Sequence, residues 1–539
     1  MPLITAHANS TVLPIHFQTG QTLRAILDTT TMRVRSGCRG TGACGLCCIR
    51  LVAGSGNAPT PNERLQLSPE KLTAGVRLAC QFQPSGDVTV ELLNPAPPSD
   101  WKSLGQEILR PASCLLPSRS FPLTTATSMG IAVDLGTTNI CLALYNLLTG
   151  QRLSERSGIN PQSLFGSDVM TRLVAAAESA EIAGKMSDMV LVALAEAIQD
   201  ISSREGIDTS QAIYLTLVGN TAMLALLTGK GHELLLRPEM WEQAIPCPTV
   251  PPSHWGARLG IHAMANIEVI APLAGFVGSD LLAGLLAMHL TKREKPALFI
   301  DFGTNTEIAL WDGHQLLVTS AAGGPAFESC GISCGMPAES GAIYRVTHQG
   351  ADTLSFEVID DLSPPRGLCG SGLVDLVACL CQDKILSDTG RFLSPSSPVE
   401  YCLPWPGKGL SITKRDIDML QRAKAAVAAG VTALLNKAAL SASALTRVCL
   451  AGAFGKYIRV ASAKAIGLLP DIDDNRFELC GNTALAGCED LLLSSEAADR
   501  LEGIRSEAEL INLSRIADFD ELFFNHLFFR PMTEASHDS

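Results

Sequence analysis

Ser36-Gly-Cys-Arg-Gly-Thr-Gly-Ala-Cys-Gly-Leu-Cys47 places Cys38, Cys44 and Cys47 in one short loop, and Cys80 follows in Arg77-Leu-Ala-Cys-Gln81. The spacing is C-x5-C-x2-C with a remote fourth thiol. Thiolates hold iron, and a close trio with one distant ligand is the plant-type [2Fe–2S] arrangement, here with one extra residue in the first gap. Gly37, Gly40, Gly42 and Gly45 surround the trio. Glycine tolerates φ > 0 and lets backbone N–H groups approach the sulfurs. A structural zinc site fits less well, because zinc favours two short C-x2–4-C knuckles. Cys48, directly after a ligand, is expected to point the other way as a small apolar residue. The N-terminus therefore reads as an electron carrier, with Cys38, Cys44, Cys47 and Cys80 as metal ligands.

Outward from this loop, residues 1–94 form one unit. Short strands at Leu3–Ile4 and Leu13–Phe17 precede a helix at Thr22–Leu27. A strand at Ile49–Val52, a helix from about Pro61 and a strand at Val88–Leu93 follow. This α+β order resembles the β-grasp fold of [2Fe–2S] ferredoxins. Residues 95–128 read as a Pro-rich linker, since Asn94-Pro-Ala-Pro-Pro-Ser-Asp and Pro111, Pro117 and Pro122 favour a solvated, semi-extended tether.

From Met129 strands and helices alternate, the α/β signature. A strand at Ile131–Val133 runs into Asp134-Leu-Gly-Thr-Thr, and one at Leu298–Ile300 runs into Asp301-Phe-Gly-Thr-Asn. In such a turn Gly136 and Gly303 let backbone N–H groups meet phosphate oxygens. Thr137, Thr138, Thr304 and Asn305 add donors. Asp134 and Asp301 would face a phosphate-bound Mg²⁺, through water. One such turn is weak evidence; two, each opening an α/β lobe, are much stronger. Gly219-Asn-Thr-Ala-Met echoes Gly481-Asn-Thr-Ala-Leu, and Ala274-Gly-Phe-Val-Gly echoes Ala451-Gly-Ala-Phe-Gly. Their order differs between the halves, so they support two similar folds without a clean duplication.

These motifs resemble the superfamily of sugar kinases, heat-shock chaperone ATPases and actin. The resemblance implies two RNase-H-like lobes closing on ATP: residues 129–290 as the first lobe and 291–535 as the second, nucleotide-binding one. Gly452 and Gly455, after the strand Val448–Leu450, match the superfamily's adenosine motif. Gly323 and Gly324 form a further Gly-rich turn that borders the nucleotide or simply punctuates a loop.

The whole chain resembles the reductive activators of corrinoid proteins. Beyond the cysteines, the match includes Asn160-Pro-Gln, Gly166-Ser-Asp-Val, Gly219-Asn-Thr, Asp301-Phe-Gly-Thr-Asn-Thr-Glu-Ile and Gly324-Pro-Ala-Phe-Glu. It continues through Gly341-Ala-Ile, Cys369-Gly-Ser-Gly, Ala423-Lys-Ala-Ala and Ala451-Gly-Ala-Phe-Gly. Family members often carry Ala-Ala-Gly-Pro where this chain has Ala321-Ala-Gly-Gly-Pro. The resemblance implies ATP-dependent reduction of a partner's Co(II) corrinoid to Co(I), with an electron delivered through the N-terminal cluster. It also implies a [2Fe–2S] cluster, ATP and Mg²⁺ as cofactors, a corrinoid protein of a methyltransferase or O-demethylase system as partner, and an upstream reductase or ferredoxin as donor. The oligomeric state stays open, a homodimer among the options. No Asp-x-His-x-x-Gly is present, so the corrinoid is expected to arrive on the partner. Cys330 and Cys334 are too few ligands for a second metal centre.

Composition narrows the classes. The 539 residues are 46% hydrophobic and 18% charged, with net charge −13, which suits a globular protein and argues against nucleic-acid binding. Seventeen cysteines point to a reducing compartment, the cytoplasm. No apolar run approaches the ~20 residues that cross a bilayer, and the N-terminus lacks a signal-peptide pattern. An iron–sulfur redox sensor with a nucleotide-binding body is an alternative. An activator of a 2-hydroxyacyl-CoA dehydratase is another, but such proteins hold a [4Fe–4S] cluster between subunits and lack the ferredoxin unit. Nothing in a metabolic kinase calls for a ferredoxin.

Overall fold

The computed structural model describes every residue except 1, 9–10, 18, 28–31, 33, 35–39, 96–100, 102–127, 167, 206, 248–253, 293, 324, 330, 339–340, 350–352, 360–364, 394–398, 405–408 and 533–539. Cys38, Gly37, Gly324, Cys330 and nearly all of the expected linker thus lie outside the described residues. Two compact units emerge, one of Met1–Trp101 with Pro161–Ala175 and one of Lys102–Asn160 with Ala176–Ser539.

The first unit is built on a five-stranded sheet. Its strands are β1 (Leu3–Ala8), β2 (Thr11–His16), β3 (Cys48–Ala53), β4 (Val76–Leu78) and β5 (Val88–Leu92), in the order β2-β1-β5-β3-β4. β1 and β5 are parallel and the other pairs antiparallel. Alternation along β1 and β5 buries Ile4, Ala6, Val88, Val90 and Leu92 against Leu23, Ile26 and Leu27 of a short helix. The helix Pro61–Gln66 starts as its sequence demands: proline stands at the first position, and Thr60 and Glu63 form a reciprocal capping box. Glu63 is fully buried and pairs twice with Arg77, at 2.8 Å each. Burial alone would raise the Glu63 carboxyl, but Arg77 and the N–H groups of Thr60 and Leu78 hold it below the usual range. This ion pair ties the helix to β4 and so fixes the chain leading into Cys80.

The second unit holds two sheets of matching design. The first runs β10-β9-β6-β7-β8, from β6 (Met129–Leu135), β7 (Asn139–Asn146), β8 (Arg152–Ile159), β9 (Ala212–Gly219) and β10 (Asn266–Val269). β6, β7 and β8 form an antiparallel meander, and β9 and β10 add in parallel. The second is drawn from β11 (Ala297–Phe302), β12 (Thr306–Trp311), β13 (Leu316–Ala321), β14 (Ala342–His348), β15 (Leu354–Val358), β16 (Gly367–Leu368), β17 (Glu400–Cys402), β18 (Ser411–Thr413), β19 (Arg447–Ala451), β20 (Phe477–Gly481) and β21 (Ala508–Leu510). Its order is β20-β19-β11-β12-β13-β21, while β14–β16 and β17–β18 form small accessory sheets. Again the meander is antiparallel and β19 and β20 are parallel additions.

Period-two alternation sends Leu298, Ile300, Ile308 and Leu310 to one face of the second sheet, against the helices Gly370–Gln382 and Lys414–Lys437. Phe299, Ala309, Trp311 and Val318 face the other side. There the helices Ser279–Met288 and Thr483–Leu493 lie between the two sheets and cross closely. A Cβ added at Gly487 would sit 1.9 Å from the Ala283 carbonyl oxygen, so glycine is required at the crossing. The helix from each lobe leans on the other lobe. Cys488 lies against the Val133 and Thr216 carbonyls of the first sheet, and Gly284 faces Phe299 of the second.

Candidate functional site

In the first unit, three of the four expected ligands are described. Cys47 and Cys80 bring their sulfurs within 3.4 Å, and Cys44 lies in the same loop, half-buried. Gly40, Gly42 and Gly45 all adopt left-handed φ of 93°, 82° and 68°. A Cβ at Gly42 would meet the Asn62 Cβ at 2.9 Å, so the loop folds only with glycine there. Gln81 steadies it by donating to the Gly40 carbonyl at 2.9 Å. Cys48 starts β3, donates its thiol to the Gly45 carbonyl at 3.0 Å, and is pushed up to about 11 by burial and by Cys47. It behaves as a structural thiol beside the ligand set. Two closely placed soft sulfurs and a glycine-shaped loop fit an iron–sulfur cluster.

In the second unit both phosphate-type turns come to one place. Asp134 ends β6 and Asp301 lies in β11, at the same end of their sheets. The Gly136 N–H donates to the Asn139 carbonyl and the Gly303 N–H to the Asn305 carbonyl, each at 3.0 Å, which closes the first turn over Gly136–Asn139 and a one-residue-shorter second turn over Gly303–Asn305. The turn tips touch. Thr138 Oγ1 and Thr304 Oγ1 are 3.2 Å apart, one from each lobe. Thr137 is buried and Asn305 half-buried beside them. Gly452, at φ 85°, brings the adenosine-type turn against the second hairpin; a Cβ there would lie 2.3 Å from the Phe302 carbonyl and 2.9 Å from Asp301 Oδ1. Gly455 begins to fold that turn back on β19, where its Cβ would meet the Leu450 carbonyl at 3.0 Å. Gly323 closes a turn onto Ala321 at 2.8 Å.

Four further side chains belong to the site: Glu307, Glu328 and Asn482 lie in motifs noted in the sequence without a role assigned to them, and Asp280 lies in none. Asp280 sits in the first turn of the Ser279–Met288 helix, and Glu307 on β12 is buried with Oε1 lacking a hydrogen-bond partner. Together with Asp134 and Asp301 they form a carboxylate cluster. Burial drives Asp134 to about 7, partly offset by Asn482 and reinforced by Asp280, and burial with repulsion from Asp280 and Asp134 drives Asp301 to about 8. Burial raises Asp280 to about 6, and Glu307 is raised as well by burial and by Asp280 and Asp301. Asn482 donates to Asp134 Oδ2 at 2.7 Å and favours its charged form. Buried carboxylates that repel one another favour nearby positive charge, and their oxygens suit a hard divalent ion such as Mg²⁺ held through water, since no three of them lie close enough to ligate one ion directly. Elsewhere, Cys449, Glu478 and Cys480 also converge, but Arg447 already takes both Glu478 oxygens.

A cysteine loop of ferredoxin type and a two-lobed body with paired phosphate turns define a redox-coupled ATPase. Residues 7–85 match the 2Fe-2S iron-sulfur cluster binding domain, 129–293 the RACo middle region, and 295–538 the C-terminal, ASKHA domain of RACo. The corrinoid activation enzyme RamQ of Eubacterium limosum is 32% identical over 424 residues, covering 74% of this chain and 70% of that protein. The [Co(II) methylated amine-specific corrinoid protein] reductase of Methanosarcina barkeri is 26% identical over 400 residues, 69% of this chain and 71% of its own. A solved reductive activator for corrinoid,iron-sulfur protein superposes with a TM-score of 0.67 at 26% identity, over 98% of this chain and 99% of that one. The chain belongs to this family, the RACo-type reductive activators of corrinoid proteins, with a ferredoxin-like domain ahead of an ASKHA ATPase body. No described helix is long and apolar enough to cross a membrane.

Proposed function

We propose that the body binds Mg-ATP between its lobes and uses it to drive reduction of a partner's Co(II) corrinoid to Co(I). The observation that supports this most is the meeting of Thr138 and Thr304 at the tips of two hairpins whose aspartates, one from each lobe, influence each other electrostatically. Gly136, Thr137 and Thr138 would hold phosphate oxygens from one side, and Gly303, Thr304 and Asn305 from the other. Gly452 and Gly455 would border the adenosine, with Gly323 beside them. Asp134 and Asp301, with Asp280 and Glu307, would hold Mg²⁺ through water. Bound Mg²⁺ offsets phosphate charge and polarises the terminal phosphoryl group. Asn482 orients Asp134 and offsets part of the rise that burial imposes on it.

Energy is needed because Co(I) lies uphill from an ordinary donor. A gap of ~0.3 V for one electron is about 7 kcal/mol. A [2Fe–2S] cluster held by Cys38, Cys44, Cys47 and Cys80 supplies single electrons near roughly −400 mV when bound, short of that step unaided. Lobe closure on ATP is the bistable element that can bias the partner complex toward reduction. Residues 1–94 serve as the electron module, 95–128 as the tether, and 129–290 and 291–535 as the lobes. An upstream reductase or ferredoxin refills the cluster. We assign the protein to the cytoplasm, whose reducing conditions suit its many free cysteines.

The test is anaerobic spectroscopy of a Co(II) corrinoid protein mixed with this protein, a weak reductant and Mg-ATP. Co(I) should form only with all components. Cys44→Ala should lose the visible cluster spectrum and Co(I) formation while retaining ATP binding. Cys48→Ala should retain all three. Zinc in place of about two irons per chain would sink the cluster assignment.

A further inference from the structure

Both threonine hydroxyls at the meeting point of the lobes are already committed. Thr304 Oγ1 donates to Glu328 Oε2 at 2.9 Å, and Thr138 Oγ1 lies 3.0 and 3.1 Å from the two oxygens of the same carboxylate. A hydroxyl has one proton, so a threonine that serves Glu328 cannot serve a phosphate oxygen. A carboxylate and a phosphate are both anionic acceptors, and like charges do not share one cradle.

The segment that carries Glu328 is built under tension. Ser329, the next residue, is buried in the left-handed region at φ 59°, and its Oγ has no hydrogen-bond partner. A non-glycine residue is strained there, and the surroundings must impose that conformation. Before Glu328, Phe327 packs on Phe302, the neighbour of Asp301, and on Phe454 of the adenosine-type turn, at ring distances of 5.6 and 4.9 Å. Movement of Glu328 therefore pulls on both nucleotide-facing turns of the second lobe.

We propose that Glu328 is a resident anion of the phosphate cradle. It latches the two hairpin tips together in the nucleotide-free protein, and the terminal phosphates of ATP must displace it. Displacement frees Thr138 and Thr304 for phosphate, relaxes Ser329 and shifts the Phe302–Phe327–Phe454 cluster. ATP entry is thereby converted into movement of the segment from Pro325 to Ser329. This proposal rests on the reading of the hairpins as a nucleotide site.

Binding of ATP and AMP is to be measured by anaerobic calorimetry on the full-length, cluster-loaded protein and on E328Q and E328A. If the latched form is about 90% of the nucleotide-free protein, E328A tightens ATP by about tenfold. E328Q, which keeps the shape and loses the charge, falls between. AMP, with no terminal phosphates to reach the cradle, should bind all three alike. Basal ATP turnover without a corrinoid protein should rise in E328A. The cluster absorbance and the thermal midpoint report folding of the variants. Unchanged or weaker ATP binding by folded E328A and E328Q overturns the latch while leaving the nucleotide site standing. Turnover lost at unchanged affinity also overturns it, and makes Glu328 a catalytic group instead. Failure of the wild-type protein to bind ATP at all refutes both readings.

Discussion

The two hairpins of the ATPase body share a plan and differ in support. Asp134 in the first lobe is held by Asn482, which reaches over from the second at 2.7 Å. Burial raises both aspartates, and Asp280 repels both, but Asp301 in the second lobe also feels Asp134 and has no side-chain donor offsetting the rise. One aspartate is braced across the cleft and the other is raised by its neighbours. Two turns of nearly equal sequence can therefore divide the work, one orienting and the other responding to incoming positive charge.

Removing each carboxylate is the strongest way to break this comparison. Asp301→Ala and Asp134→Ala should each lower ATP turnover by on the order of 100-fold or more, with the cluster spectrum intact. Normal hydrolysis by Asp301→Ala would mean that the second hairpin is misassigned. Next in size is the helix crossing that joins the lobes. Gly487→Ala places a Cβ 1.9 Å from a backbone oxygen and should cost about 1–3 kcal/mol, seen as a lowered thermal midpoint. Gly503→Ala, where a Cβ meets open space, is the control and should be neutral or stabilising.

Asn482→Ala sharpens the asymmetry, since it removes the brace from Asp134; it also removes the cap that Asn482 Oδ1 gives the Leu485 N–H, so Asn482→Asp, which keeps the cap and loses the donor, is the companion variant. A hydrogen bond to a charged group contributes about 1.5–3 kcal/mol, so Mg-ATP affinity should fall roughly tenfold or more. An equal loss from a distant surface change such as Arg500→Ala would show that the brace is irrelevant.

The smallest effect separates the lobes by pH. Only the second lobe carries a buried lysine on its long helix among the described residues: Lys424 donates to the Phe528 carbonyl at 2.7 Å and is lowered to about 7 by burial and by Arg530. Between pH 7 and the ordinary lysine value, the unfolded chain binds the proton and the folded one does not. Stability should therefore rise with pH there, by at most about 1.4 kcal/mol per unit, and fall as pH drops toward 7. Lys424→Met should flatten that slope. Denaturation midpoints at pH 7, 8 and 9 check it, and a wild-type profile already flat across this range would contradict the assignment.

Where the sequence spoke clearly, a turn or a spacing carried the information locally. The cysteine spacing and the two Asp-x-Gly-Thr turns depend on neighbours only a few residues apart, and Cys44, Cys47, Asp134 and Asp301 were legible for that reason. The carboxylates Asp280, Glu307 and Glu328 lie on a helix, a strand and a loop that converge only in the folded chain. Glu307 stands six residues after Asp301 on the partner strand of the hairpin, which was the one local hint. The exchanged order of the near-repeats has a topological reason. Gly219-Asn220 follows β9, beside β6, whereas Gly481-Asn482 follows β20, one strand further from β11. By position in the sheets, the counterpart of Gly219-Asn220 is Ala451-Gly452. The like sequences therefore occupy exchanged positions in the two sheets, in keeping with similar folds that are not a clean duplication. The short strand β4 gave no signal because three residues are too few for a period.

The exchange of helices between the lobes has a consequence for synthesis. The first sheet is closed by Thr483–Leu493, with Cys488 against the carbonyls of Val133 and Thr216. That helix leaves the ribosome roughly 350 residues after β6, on the order of 20–70 s later at about 5–20 residues per second. Until then the apolar face formed by Ala132, Ala143 and Val218 lacks its cover. The nascent chain must therefore carry an unfinished first lobe almost to its end, and a premature stop before Thr483 leaves that lobe, not merely the second, without a closed core.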